Sequence, residues 1–523
     1  MALTLVQAGT SLQLIHDDGS LQTLTLPTGV TLRTDVPPRW AIFGDYVVMV
    51  NTPEQPITID QYGVVRLLCP RPPSSAPVLS STNGGTLSGG FKSRITFREY
   101  DDNGELIWET DFSPTSNTLT ITSKYITYAS LETLVDSTTN GRGVYRTSNG
   151  TDVYFEAFGL DDNVATTALD DTSDAGIATF SAPARGTPPY LTHVAEFRGR
   201  LFGIGADEPD TLRYTEVGEM FAWPSDNFFP VPHVGSDQIG VTALIPRRDA
   251  LGVVRQNVFL QFTGEDDDNF RLIKLSENTG CVSQESVVVY RDVAYFLWYD
   301  GVYKWDSEGI QCISDEKVRS WFNKDDTFDR TTFDSAFAGF DPNRKRYMLF
   351  ATNVETGRIN WIEYDIESGT WWGPHETEAY SLRSAFQLYS AGNQPRLCLG
   401  VTETKVVIEQ ETRADGPTHG IEVEAVLAPI FGESSDYLTL FGDTTILTKA
   451  QSTGGTMTVT PAVGEPGALV EKADVTVPLS TDRKRIGRIG AGRACTLTFT
   501  HDTIDEKLEI GGIEIPVSSL GRR

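Results

Sequence analysis

Apolar and polar positions alternate along Tyr290–Asp306, which reads Y-R-D-V-A-Y-F-L-W-Y-D-G-V-Y-K-W-D, on both sides of an Asp300-Gly301 turn. Val293, Tyr295 and Leu297 fall on one side of the first run, and Val302, Tyr303 and Trp305 populate the second. Period-two alternation around an Asp-Gly pair predicts a β-hairpin, because both turn residues must tolerate positive φ. The same motif recurs at Phe43–Val50 and Phe197–Ile204, where an aromatic residue precedes a glycine-containing turn and an apolar strand. A second short strand follows each time, at Gly63–Leu68, Thr211–Thr215 and Val302–Asp306. A repeated hairpin with few helices between copies predicts radially arranged β-meanders, an all-β chain of degenerate β-propeller type.

The pattern divides the chain into four parts. Residues 1–75 hold an opening hairpin, Ser11–Ile15 and Leu21–Leu26 around Asp17–Ser20, and a first blade from Trp40 to Leu68. Pro70–Pro73 and the Ser/Thr/Gly-rich run Ser80–Gly90 read as a linker. Residues 76–175 otherwise carry short strands, among them Arg94–Tyr100, Glu105–Glu109, Gly143–Thr147 and Val153–Phe158. Their extent suits a β-sandwich, and the paired cysteines and buried tryptophan of an immunoglobulin domain are not expected here, so a fibronectin-like sandwich inserted into the propeller fits better. Residues 176–417 supply the remaining blades, at 189–225, 237–275, 284–319, 332–372 and 380–413. With the early unit this predicts about six blades. Asp315–Phe322 is the one short helical turn expected here, and residues 418–523 form a C-terminal β domain.

Charge narrows the partners. Among 523 residues, 71 acidic side chains outweigh 43 basic ones, for a net charge of −28. Such a surface repels nucleic acid at long range, which argues against a sequence-specific DNA binder but not against a conduit that must release DNA. Glu265, Asp266, Asp267 and Asp268 form an acidic loop that could face such a channel. Arg483, Lys484, Arg485, Arg488 and Arg493 form a basic cluster in an otherwise acidic protein. It reads either as a solvated surface loop or as an interface with an acidic neighbour subunit or with DNA.

Catalytic patterns are scarce. Cys69, Cys281, Cys312, Cys398 and Cys495 are far apart with no C-x-x-C, and the six histidines are scattered with no H-E-x-x-H, so neither a disulfide framework nor a zinc site is expected. Asp266–Asp268 lack the remaining oxygen ligands of a calcium loop. There is no G-x-S-x-G elbow and no Walker A loop. The start of the chain has no basic region leading into an apolar core, so no secretory leader is expected, and the absence of a long apolar run predicts no stable membrane insertion. Folding in a reducing cytoplasm follows. Trp298, Trp305, Trp361, Trp371 and Trp372 could stack on sugars, although such residues more often fill the interfaces between blades.

Five stretches taken in order carry a resemblance: V-Y-R-T at Val144–Thr147, F-R-G-R-L-F at Phe197–Phe202, Y-F-L-W-Y-D-G-V-Y-K-W at Tyr295–Trp305, F-D-P-N-R-K-R-Y at Phe340–Tyr347 and L-E-I-G-G-I-E-I at Leu508–Ile515. Together with the domain order, the chain resembles the tail nozzle, or tail tubular, proteins of short-tailed bacteriophages. The resemblance implies a structural virion protein without catalytic residues or cofactor. It implies a homo-hexameric ring below a tail adaptor protein, docking fibre or plug proteins and giving duplex DNA transient passage. The competing expectation is a carbohydrate-binding or carbohydrate-hydrolysing propeller.

Overall fold

The computed structural model describes residues 4–16, 20–51, 56–68, 70–134, 138–177, 186–233, 239–315, 318–323, 327–377, 380–390, 394–402, 405–408, 414–415, 419–420, 423–427, 429–431, 438–448, 455–480, 483–501 and 510–521. The chain divides into two compact units. The first spans Met1–His375, Arg383–Gly400 and Thr404–Val407, and the second holds most of the remainder through Arg523.

The first unit is a β-propeller of consecutive antiparallel meanders. Blade 1 comprises Thr4–Ala8, Ser11–Ile15 and Leu21–Leu24. Blade 2 comprises Arg39–Phe43, Tyr46–Val50, Ile57–Asp60 and Val65–Leu67. Blade 3 runs Leu191–Phe197, Arg200–Gly205, Thr211–Tyr214 and Phe228–Pro230. Blade 4 runs Val241–Pro246, Leu251–Arg255, Phe259–Thr263 and Arg271–Ser276. Blade 5 runs Val288–Tyr290, Val293–Trp298, Gly301–Asp306 and Gly309–Cys312. Blade 6 runs Phe337–Asp341, Arg346–Thr352, Ile359–Asp365 and Thr370–His375. Blade 7 comprises, among the described residues, Leu382–Ser390, Gln394–Val401 and Lys405–Ile408.

Each blade packs on the next. Leu12, Leu14 and Leu24 of blade 1 share a core with Met49, Ile57 and Ile59 of blade 2. Phe202 and Leu212 of blade 3 meet Leu251 and Phe262 of blade 4. Phe259 of blade 4 lies 4.9 Å from Trp305 of blade 5, and Tyr295 of blade 5 lies 5.7 Å from Tyr347 of blade 6. Gly339 of blade 6 fits against Ala385 and Leu397 of blade 7, where an added Cβ would come within 2.7 Å of Ala385. Thr4 closes the ring by donating to the Gln387 carbonyl at 3.3 Å. The opening hairpin is thus a sheet of the ring, which holds seven sheets among the described residues where about six were expected. The central hairpin forms where the alternation placed it, with Trp298 opposite Gly301. The expected helical turn is a 3₁₀ segment at Arg319–Phe322.

Much of the acidic composition serves the hairpins. Asp60 accepts the backbone N–H groups of Tyr62 and Val64, both at 2.9 Å. Asp365 accepts those of Glu367 and Ser368 at 3.0 Å, and Asn353 plays the same part for Glu355 and Thr356. Asp and Asn favour these positions because a short side chain can satisfy amides that the turn leaves without a strand partner.

Between blades 2 and 3 lies the inserted sandwich. One sheet pairs Val78–Phe91, Leu119–Ala129 and Ala168–Asp170; the other pairs Leu106–Glu109, Ser93–Tyr100, Gly141–Thr147 and Tyr154–Leu160. Ser80–Gly90, read from composition as linker, is part of a long strand. Its Ser, Thr and Gly residues face outward or take up a register shift, while Leu79, Leu87 and Phe91 reach the core beside Ile126 and Tyr128. The sandwich also shares a core with the propeller: Phe97 and Trp108 pack with Ala41, Val48 and Leu68 of the blade 2 region and Leu191 and Leu201 of blade 3. Trp108 Nε1 donates to Glu99 at 2.5 Å, and Glu99 pairs with Arg66 of blade 2 at 2.9 Å.

The second unit is a two-sheet β domain. Val423–Val426, Ala494–His501, Thr456–Glu465 and Ala468–Glu471 form one sheet, with Ile430–Phe431 and Val475–Pro478 attached; Arg483–Gly492, Leu438–Thr448, Ile510–Glu514 and Val517–Gly521 form the other. Phe441, Ile446, Val459, Leu497 and Phe499 fill the space between them.

Candidate functional site: the propeller axis and its charged flanks

Polar links lace the blades at the starts of their innermost strands. Arg39, the first residue of blade 2, donates through Nε to Glu285 Oε1 at 2.9 Å and through Nη1 to the Thr192 carbonyl of blade 3 at 2.8 Å. Glu285 sits in the 3₁₀ turn Gln284–Ser286 that leads into blade 5. Gln284 takes up both backbone groups of Leu244 in blade 4, accepting the N–H at 2.7 Å and donating to the carbonyl at 3.2 Å. Ser283 Oγ donates to the Ala336 carbonyl, next to blade 6, at 2.7 Å. Blades 2 and 5 are not consecutive, so the Arg39–Glu285 pair ties blade 2 to the turn that leads into a blade three further along the chain.

This axial layer is poorly equipped for acid–base or nucleophilic chemistry. Burial pushes His193 well below its ordinary value and keeps the imidazole neutral, with Nε2 3.1 Å from the Thr242 carbonyl. Burial pushes the Cys281 thiol up to about 12, so it is not a thiolate at neutral pH. Glu285 is held by Arg39 and by Ser283 Oγ at 3.1 Å. Sequence reading missed Arg39, His193 and Glu285, since no local motif ties together residues from separate blades.

The acidic loop connects the third and outermost strands of blade 4. Glu265 pairs with Arg198 at 2.7 Å, on the first turn of blade 3, and Asp267 with Arg200 at 3.5 Å, at the start of its second strand. Asp266 accepts the Asn269 N–H at 3.0 Å and so shapes the turn. Asp268 is exposed. Three of these four carboxylates therefore have work within the fold, in turn formation or in pairing between blades. Among the described residues, no three or more His, Cys, Asp or Glu side chains are placed to hold a metal ion.

The basic cluster is a strand and not a loop. Arg483, Lys484, Arg485 and Arg488 lie on Arg483–Gly492, and Arg493 follows it. Ile486 and Ile489 of the same strand pack on the domain core, which draws the run into the sheet. Arg483 faces Leu447, Arg485 faces Thr445 and Arg488 faces Asp443, with a shift between the last two pairs. All three arginines are exposed. Arg483 pairs with Glu514 at 2.6 Å and Arg485 with Asp443, and together with Thr445 and Pro516 they line a shallow depression. Arg493 lies 3.5 Å from Glu465.

Most of the tryptophans belong to blade interfaces. Trp305 is buried under the Arg247 guanidinium, 4.5 Å from its centroid. Trp298 and Trp371 donate their indole N–H groups to the Gln256 and Ile313 carbonyls at 2.9 and 3.1 Å. Trp361 is partly covered, whereas Trp372 is 51% exposed.

No family model matches this sequence. No curated protein matches it either. Among solved structures, it is similar to the β-propeller domain of the Trilobed protease from Pyrococcus furiosus, with 10% identity, 71% of this chain and 96% of that one covered, and a TM-score of 0.25. It is also similar to an exo-β-1,3-galactanase from Phanerochaete chrysosporium, with 10% identity, coverage of 66% and 98%, and a TM-score of 0.22. A functionally unknown protein from Desulfotomaculum acetoxidans has 12% identity, coverage of 71% and 95%, and a TM-score of 0.27.

Proposed function

We propose that this β-propeller protein is a structural subunit of a bacteriophage tail, a nozzle-type ring component without enzymatic activity. The observation that carries the reading is the axial Arg39–Glu285 pair. Propellers that act on small molecules commonly use their axial opening, and here two charged side chains from separate blades are spent on each other. The resemblance in domain order and motifs supplies the context: a propeller scaffold, a sandwich bonded to its second and third blades, and a terminal β domain with an arginine-lined outer face.

On this reading the chain forms a homo-hexameric ring in the virion tail. An adaptor protein lies above it, fibre or plug proteins dock on it, and duplex DNA passes through the ring and not along a propeller axis. A heterologous contact that closes by rotation suits the arginine face, which would meet an acidic surface of the next copy. Exposed turns such as Glu265–Asp268 would add negative potential where DNA must slide without being retained. Electron microscopy of purified protein and of native particles tests the proposal. Six-fold rings, and the same chain in the virion tail, are the expected outcome. Absence from purified virions, or hydrolysis of glycans by the pure protein, overturns it.

A further inference from the structure

We infer that one end of the propeller recognises an acidic peptide segment of a partner protein, through basic first turns on blades 3 to 6. Such recognition does not depend on ring formation. The first turn of each blade joins its two innermost strands. Blade 3 has Arg198 and Gly199 there, blade 4 residues 247–250, blade 5 Arg291 and Asp292, and blade 6 residues 342–345. Contacts set the four turns side by side. Arg198 of blade 3 reaches Asp249 of blade 4 at 3.5 Å. Asp292 of blade 5 pairs with Arg247 of blade 4 at 3.0 Å and accepts the Arg248 N–H at 2.8 Å. Tyr290 and Phe340, near the ends of the innermost strands of blades 5 and 6, have ring centroids 4.3 Å apart.

Backbone conformation and pairing single these cations out. Arg198, Arg291 and Lys345 have φ of 55°, 48° and 56°. Tight hairpin turns reserve positive φ for glycine and asparagine, and the first turn of blade 2 uses Gly44, at φ 56°, where blades 3 and 5 place arginine. A long cation held where its Cβ crowds the backbone points to a use for the side chain. Arg198 and Lys345 are engaged by Glu265 and Glu367. The carboxylates of the turns themselves, Asp249 and Asp292, are taken by Arg198 and Arg247. That leaves Arg248 and Arg291, on adjacent turns, exposed and without an ion pair among the described residues; Arg291 lies over its neighbour Tyr290, 5.2 Å from the centroid. A guanidinium in this state can take a carboxylate through two parallel N–H bonds. The ligand must be narrow, because the third turns at the same end, farther from the axis, expose Glu216, Glu219, the run 265–268, Glu308 and Glu367. That rim, in a protein of net charge −28, repels a broad polyanion such as duplex DNA. An extended peptide can bring its carboxylates to the inner turns alone.

The test titrates the full chain into fluorescein-labelled octaglutamate at low salt, read by fluorescence anisotropy, with octaglutamine and a labelled DNA duplex as the other probes. Octaglutamate is expected to bind with a dissociation constant on the order of 0.1 mM, and octaglutamine not to bind. The combined Arg248→Ala and Arg291→Asn variant should weaken that binding by about tenfold or more. Asparagine tolerates positive φ, so Arg291→Asn alone should unfold at or above the parent temperature while losing part of the affinity. Arg248→Gln decides the matter if the double variant fails to fold. No saturable binding of octaglutamate, or binding unchanged by these substitutions, would overturn the proposal. So would binding lost on Arg483→Ala and Arg485→Ala instead, or DNA held more tightly than octaglutamate through Arg248 and Arg291.

Discussion

Arg39 and Glu285, 246 residues apart in sequence, meet at 2.9 Å and tie blade 2 to the turn that leads into blade 5. Each side chain is about one-fifth exposed. At that depth a lost partner leaves a charge in an environment that solvates it poorly. Arg39→Met or Glu285→Leu alone should therefore destabilise the propeller by about 1–3 kcal/mol. The double variant should lose less than the sum of the two, because neither charge is stranded. Denaturant unfolding of the three variants measures this coupling, and strict additivity would remove the brace from the account.

The insert behaves as part of the propeller core. An insert that sat on the propeller as a separate body could be removed, residues 76–175, and leave a foldable propeller. The shared core changes that expectation, since deletion would strip Phe97 and Trp108 from Val48, Leu68 and Leu201. The truncated chain should be insoluble or show a lowered unfolding temperature. Trp108→Ala should destabilise by about 3–5 kcal/mol, in keeping with a fully buried tryptophan. A truncated propeller that stays soluble at the parent unfolding temperature would show that the sandwich folds as a separate body.

Carboxylates in the turns make stability depend on acidity. The Glu105 and Asn103 amides hold Asp101 below the usual aspartate value of 3.8, the Ser368 and Glu367 amides do the same for Asp365, and the Ala165 and Val164 amides for Asp162. A carboxylate whose folded value is depressed stabilises the fold fully above its unfolded value and loses that contribution as the pH falls through the folded value. Asp111 runs the other way, because burial raises it. Burial keeps His193 neutral in the fold, well below the ordinary histidine value of 6.5, so the unfolding temperature should begin to fall as the pH drops through 6.5 and decline further below 3.8 as these carboxylates protonate. Asp365→Asn keeps an oxygen acceptor in the turn, and its decline should be shallower than the parent's.

Legibility followed the range of the contacts. The Tyr290–Asp306 hairpin is local, and alternation with its turn residues is enough to place it. Blade 1 was harder, because long-range contacts such as Thr4 with Gln387, 383 residues away, make the opening hairpin a member of the ring. Composition misled at Ser80–Gly90, where glycine and serine suggest a linker but Leu79, Leu87 and Phe91 bury a strand. It misled again at Arg483–Arg493, where the charges drew attention from Ile486 and Ile489 beneath them. The axial pair had no sequence signal, since an arginine and a glutamate in separate blades follow no period.

The arginine strand offers the sharpest separation of stability from assembly. Arg483 and Arg485 pair with Glu514 and Asp443 at the surface, where water screens both partners. Exposed pairs of this kind contribute about 0–1 kcal/mol, so Arg483→Ala and Arg485→Ala should leave the unfolding temperature of the isolated chain nearly unchanged. If the face meets an acidic surface of the next copy, reversing three of its charges creates repulsion along the whole contact. The combined Arg483→Glu, Arg485→Glu and Arg488→Glu variant should therefore remain folded as a monomer and fail to form rings. Rings of the parent chain should loosen with added salt, since the Debye length falls from about 10 Å at 0.1 M to about 3 Å at 1 M. Native mass measurement at low and high salt reads both effects. Rings that assemble normally from the triple variant would place the subunit contact elsewhere on the molecule.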